Sequence, residues 1–139
     1  MQLVIDANIL LAGLMRKSTT RALILRPWLE LFSPEHLLME TEFHLMHDDR
    51  FRRRLNLSKE EVQLVLSILL LPVTVIPAKQ YRGQMKRAGT LVAHPEDAPY
   101  VALSLYLNAP LWTNDRGLRD LATISTITTA ELVKQIHGS

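Results

Sequence analysis

Apolar residues along this chain fall into two alternating patterns. Short continuous runs, "LVID" (3–6), "LELF" (29–32), "VTVI" (73–76), "APLWT" (109–113) and "ISTIT" (124–128), read as strands. Continuous apolar runs are expected where both faces of a sheet are buried. Between them lie longer stretches with helical spacing, the first reaching about Trp28 in two pieces broken near Ser18. Ser33 followed by Pro34 predicts a helix start, because Ser caps and Pro is tolerated in the first turn. That helix would carry Leu37, Leu38, Thr41 and Leu45 along one side. "SKEE" (58–61) has capping-box spacing and opens an apolar helix that ends near Leu71, before Pro72. A basic helix follows "VTVI", then the loop "GTLVAHPED", then the helix "APYVALSLYLN" with Pro99 early in it. A short helical turn at 116–121 and a C-terminal helix from about Thr129 to His137 complete the outline.

Strands that alternate with helices from end to end predict an α/β fold. The expected architecture is a three-layer αβα arrangement around a central parallel sheet of about five strands. The length of 139 residues predicts one domain, spanning 1–139.

Composition narrows the function classes. Hydrophobic residues make up 47% and charged residues 22%, which excludes a disordered chain. The absence of cysteine excludes disulfides and thiolate metal sites. The chain enters a strand-like run at once, so no signal peptide is expected. Its longest apolar stretch, about Val62 to Leu71, is well short of the roughly 20 residues of a membrane helix. A cytoplasmic protein with no membrane partner is the expectation. Net charge is only +2, but the basic residues cluster. "RFRRR" contains Arg50, Arg52, Arg53 and Arg54, and Lys79, Arg82 and Lys86 recur at helical spacing with Arg87 beside them. Such clusters are either solvated surface or contacts for nucleic-acid phosphates.

The carboxylates carry the chemistry. Asp6 ends the first strand, Asp115 lies just past "APLWT", and Asp97 lies near the start of the helix feeding that strand. Glu40 lies about two turns into the helix after "LELF". Ligand sites of open α/β sheets form beyond the carboxyl ends of the strands. Each acid also has an ordinary structural reading: Asp6 and Asp97 as helix caps, Asp115 as a turn residue, Glu40 as a solvated helix residue. Brought together, two such charges about 4 Å apart repel by about 4 kcal/mol at an effective dielectric near 20. A hard divalent cation reverses that sign, and oxygen donors suit Mg²⁺ or Mn²⁺. His44 and His47 share a helix face, but no third ligand pairs with them in the sequence.

The blocks "VIDANILLAGL" with Asp6, "SPEHLLMETEFHL" with Glu40, "PEDAPYVALSLYLNAPLWTND" with Asp97 and Asp115, and "ITTAELVK" at the end span nearly the whole chain. In this order they resemble the PIN-domain family of metal-dependent ribonucleases, and within it small stand-alone proteins such as the VapC-type toxins. The third block is the most specific: an Asp, a small-residue apolar helix, then a strand ending in Thr-x-Asp. The resemblance implies one or two Mg²⁺ or Mn²⁺ ions held by Asp6, Glu40, Asp97 and Asp115 as the catalytic and metal-binding residues. Asn8 and Thr113 would orient carboxylates by hydrogen bonds. RNA is the implied substrate, with flanking phosphates held by Arg50, Arg52, Arg53, Arg54, Lys79, Arg82 and Lys86. A toxin role would add an antitoxin protein as partner.

The sequence departs from the family at two places. Glu42 lies about 200° around the helix from Glu40, so only one of the two faces the pocket, and the motif favours Glu40. After "TND" relatives often carry a further acid, but position 117 is Gly and Asp120 fits that role poorly. A single-metal site is therefore easier to support than a two-metal one. The gap also keeps a rival in view, a PIN-fold RNA-binding or interaction module that does not cut. A phosphatase of the haloacid-dehalogenase type needs a second Asp at position 8, which is Asn. A receiver domain needs an early acidic pair and a late Lys, and neither is evident. The helix 58–71 carries little polar surface in its second half, which predicts a homodimer.

Overall fold

The computed structural model describes residues 1–15 and 18–137, without the side chains of Arg50 and Arg52. Five strands form one parallel sheet: β1 (Gln2–Ile5), β2 (Glu30–Pro34), β3 (Val73–Ile76), β4 (Leu111–Trp112) and β5 (Thr126–Ile127). Their order is β3-β2-β1-β4-β5, so β1 is central. Leu3 pairs with Leu31, and Ile5 with Trp112. Leu3, Val4 and Ile5 are fully buried, as a strand covered on both faces requires.

Helices flank the sheet. After β1 come α1 (Ala7–Gly13) and α2 (Thr19–Ile24). Ser18 makes the break between them: its hydroxyl donates to the Ala12 carbonyl and accepts from the Arg21 N–H. After β2 come α3 (Leu37–His47), α4 (Asp49–Leu55) and α5 (Lys59–Leu70). The capping box at the start of α5 forms, with Ser58 and Glu61 exchanging hydrogen bonds of 2.9 and 3.1 Å. After β3 come α6 (Ala78–Leu91), a 3-10 turn at Pro95–Asp97 and α7 (Ala98–Leu107). α7 packs on β1, β2 and β4 and buries Tyr100, Val101, Ala102 and Leu103. Asn108, in the left-handed region at φ 51°, ends α7 and turns the chain into β4. The short α8 (Arg116–Arg119) follows β4, and α9 (Thr129–His137) closes the chain.

Several expectations are corrected. Ser33 and Pro34 do not start a helix: they end β2, where they pair with Val75 and Ile76. The ladder to β3 takes the backbone at this point, and α3 begins only at Leu37 after a turn. Leu37, Thr41 and Leu45 are buried along one side of α3, but Leu38, about 100° away, is exposed. "RFRRR" falls on α4, a helix the pattern did not predict, started by the Asp48 side chain. Gly89 to Leu91 continue α6 rather than opening a loop. β4 and β5 keep only two residues each in register, fewer than the apolar runs suggest. α8 ends at Arg119 rather than 121.

α5 divides its apolar residues. Leu66 and Leu69 are in the core, whereas Leu64, Ile68 and Leu71 are exposed. A Cβ at Gly13 of α1 would come within 3.1 Å of the Leu69 side chain, so α5 packs there with no spare space. Leu69→Ala should therefore cost about 2–5 kcal/mol, read from the shift in urea midpoint at unchanged slope.

Candidate metal centre

The site lies where the chain changes direction within the sheet. From β1 it proceeds outward through β2 and β3, then returns to β4 on the other side of β1. Clefts at the carboxyl ends of strands form at such a switch point. Asp6 follows β1 and Asp115 follows β4, so the topology sets both at this edge.

Asp6 is only 4% exposed. One carboxylate oxygen accepts from the Ile9 N–H at 3.0 Å, so Asp6 does cap α1. The other accepts from the Thr113 hydroxyl. That hydroxyl in turn accepts from the Asp115 N–H at 3.1 Å. Thr113 thus ties the two acids together through the end of β4. The Asp115 side chain is turned by the Gly117 N–H, which donates to it at 2.8 Å. A Cβ at position 117 would lie 3.3 Å from that same oxygen, so glycine leaves it room. Asn114 faces the opposite way and is held by Thr129 of α9 through two hydrogen bonds.

Asp97 ends the 3-10 turn and is the residue before α7. Its side chain caps nothing. Burial, then Asp115, Glu96 and Glu40, push its carboxyl up to about 6. Burial likewise pushes Asp6 up to about 6, against the hydrogen bonds from Thr113 and Ile9, with Asp115 and Asp97 adding to the rise. The three aspartates therefore feel one another's charge. Among the described residues no Lys or Arg pairs with any of them.

Glu40 reaches the same region from α3. Burial raises its pKa, but His36, the Tyr100 hydroxyl and the nearby His44 outweigh burial and hold it below the usual range. Its Oε2 accepts from Tyr100 and lies 3.5 Å from His36 Nε2. Asn8 is exposed, and the side-chain hydrogen bonds to Asp6 come from Ile9 and Thr113. His47 stacks on Phe43, and its Nδ1 lies 2.9 Å from the Phe43 carbonyl. Asp120 ends α8 and is exposed. A cavity of about 370 Å³ at the end of α3 is lined by His44, His47, Asp48 and Asp49, not by the aspartates that feel one another's charge.

Arg53, Arg54, Lys79, Arg82 and Lys86 are exposed, and the side chains of Arg50 and Arg52 lie outside the described residues. Sequence reasoning passed over Tyr100 and His36, which contact Glu40, and Arg116 and Arg119, the exposed cations of the helix that Asp115 caps. The spacing from Asp97 to Tyr100 was a usable signal, since residues three apart on a helix share a side.

Among the described residues, no three acids or histidines are gathered closely enough to form a finished metal cage. The donor chemistry nevertheless fits a hard divalent cation: all donors are oxygens, and among the described residues no Lys or Arg pairs with them, His94 alone opposing the rise at Asp97. A carboxyl whose folded pKa is raised favours the fold at low pH and loses that benefit as pH rises through the folded value. For Asp6 the window runs from about 4 to about 6, and a two-unit shift corresponds to about 3 kcal/mol. Asp6→Asn should therefore gain stability over the parent protein across that window and keep the gain at pH 7. Thermal unfolding of both proteins in EDTA checks this, and a variant that melts well below the parent at pH 7 would contradict it.

Comparison with known proteins agrees with this fold. A PIN-domain family model matches residues 4–135. The fold is similar to that of VapBC2 from Rickettsia felis, solved bound to a DNA fragment from their promoter, with TM-score 0.67 and 16% identity over 92% of this chain and 98% of that one. It is also similar to PAE2754 from Pyrobaculum aerophilum, with TM-score 0.65 and 15% identity over 100% of this chain and 97% of that one. FitAcB from Neisseria gonorrhoeae gives TM-score 0.57 and 12% identity over 92% of this chain and 98% of that one. A search of curated proteins gives no match. With the family model covering almost its whole length, the chain belongs to the PIN-domain family.

Proposed function

We propose that this protein is a divalent-metal-dependent endoribonuclease that hydrolyses RNA phosphodiesters, with Mg²⁺ or Mn²⁺ as cofactor. One observation carries the reading: Asp6, Asp97 and Asp115 repel one another at the carboxyl edge beside β1, and no described Lys or Arg relieves them. Membership of the PIN-domain family supports it.

Asp6, Asp97 and Asp115 would hold the ion. Thr113 serves by fixing the Asp6 carboxylate and the Asp115 backbone at once. Glu40 adds a carboxylate from α3, as a further ligand or as the group that takes a proton from the attacking water. A bound divalent ion supplies hydroxide near neutral pH and stabilises charge on the phosphate. Arg53, Arg54, Lys79, Arg82 and Lys86 would hold flanking phosphates, which makes binding weaken with salt. No described helix is long and apolar enough to cross a membrane, and the reading places the enzyme in the cytoplasm.

The fold likeness to VapBC2 extends the proposal to the toxin of a toxin–antitoxin pair, with the antitoxin as a protein partner. A second reading is a PIN-fold RNA-binding module that does not cut. Gly117 favours it, because it leaves the edge beside Asp115 without another acid. A pool of single-stranded and structured RNAs separates the two. With Mn²⁺ or Mg²⁺ the protein should cut; in EDTA, or as Asp97→Asn, cutting should fall to background. RNA binding without cutting by folded protein under every condition would support the second reading.

The exposed Leu64, Ile68 and Leu71 of α5 support a homodimer. Sedimentation at micromolar concentration should give twice the chain mass, and Leu64→Glu combined with Ile68→Glu should give a monomer. A monomeric parent protein would remove this part of the proposal.

A further inference from the structure

Tyr100 is 1% exposed, on the helix α7 that packs against the sheet. A buried phenol needs a partner for its hydroxyl. Here the partner is Glu40, sixty positions away on α3, so the contact exists only in the folded chain. The same carboxylate oxygen, Oε2, lies 3.5 Å from His36 Nε2. That nitrogen is buried and has no hydrogen-bond partner of its own. The His36 ring leans on Tyr100, with centroids 5.2 Å apart and planes at 51°. Oε2 is therefore enclosed by a phenol and an imidazole that support each other. Oε1 lies 4.0 Å from His44 Nε2.

A glutamate on a half-buried helix surface has three torsions to fix, and a carboxylate free to swing loses affinity for whatever it binds. Tyr100 supplies what fixes it. Its hydroxyl comes from α7, the helix that Asp97 precedes, three residues after that acid. One hydrogen bond therefore sets the spacing between the α3 carboxylate and the α7 carboxylate. A phenol keeps its proton at neutral pH, so the hydroxyl is a donor to the carboxylate.

We propose that Tyr100 is a positioning residue of the acidic site: its hydroxyl holds Oε2 of Glu40, so that Glu40 meets a bound cation or its water through Oε1. This rests on the metal-nuclease reading and deepens it. Phe at position 100 keeps the ring and removes only the hydroxyl. Mn²⁺ binding to EDTA-stripped Tyr100→Phe, measured by calorimetry without RNA, should weaken by about 10-fold, with a comparable drop in RNA cleavage. In a Glu40→Gln background the same substitution should change Mn²⁺ affinity little further, because the group through which it acts is already altered. An equal loss in both backgrounds, or no loss in either, overturns the proposal.

A readout without metal separates this from failure of the nuclease reading. In the metal-free protein the Tyr100 hydroxyl proton should resonate downfield and move upfield in Glu40→Gln. A resonance indifferent to Glu40 overturns the contact itself. The expected resonance in a parent protein that binds no Mn²⁺ overturns both the nuclease reading and the positioning role, and leaves a structural hydrogen bond.

Discussion

The hydrogen bond from Thr113 to Asp6 joins the two central strands at the edge where the acids meet. β1 and β4 are paired at only two positions, Val4 with Leu111 and Ile5 with Trp112. Immediately beyond that short ladder the backbone gives way to side chains. The Thr113 hydroxyl donates to Asp6 and accepts from the Asp115 N–H, so a single oxygen sets the spacing of two carboxylates. Its position depends on Trp112, whose indole is buried and anchored to Thr129 on α9.

This arrangement is costly by itself. Burial and neighbouring charge hold Asp6 and Asp97 near 6, far from where carboxyls rest in water. The protein offsets part of that cost locally, with an N–H and a hydroxyl on Asp6 and an N–H on Asp115. It treats Glu40 differently. That acid has a phenol and two histidines around it and is held below its usual range. The edge thus presents two aspartates, Asp6 and Asp97, that strain toward protonation and one glutamate already stabilised as an anion. Charge-stabilised and charge-frustrated groups held side by side are common in sites built to act on a charged substrate.

Much of this was legible in the chain. Capping chemistry is local, so the capping box at Ser58 and the break near Ser18 follow from residues a few positions apart. Continuous apolar runs gave five parallel strands because burial on both faces leaves no room for alternation. The acids could be assigned to strand ends because Asp6 and Asp115 directly follow such runs. The failures share a cause. Ser33 and Pro34 have the chemistry of a helix start, yet the ladder to β3 claims them. Strand β4 keeps only the residues that face β1 and β5, although its apolar run is longer.

The sequence by itself determined the alternation of elements, the caps, the strand-end acids and the surplus of apolar residues on α5. Each depends on neighbours within about two helical turns, where covalent connection fixes which side chains meet. Tertiary structure alone decided which oxygen of Glu40 is held, that Tyr100 holds it, and which oxygen of Asp6 meets Thr113. It also decided which leucines of α5 reach the core and which remain outside. Those contacts join residues tens of positions apart, and their geometry is set by how helices pack on a twisted sheet, for which a linear pattern carries no distance.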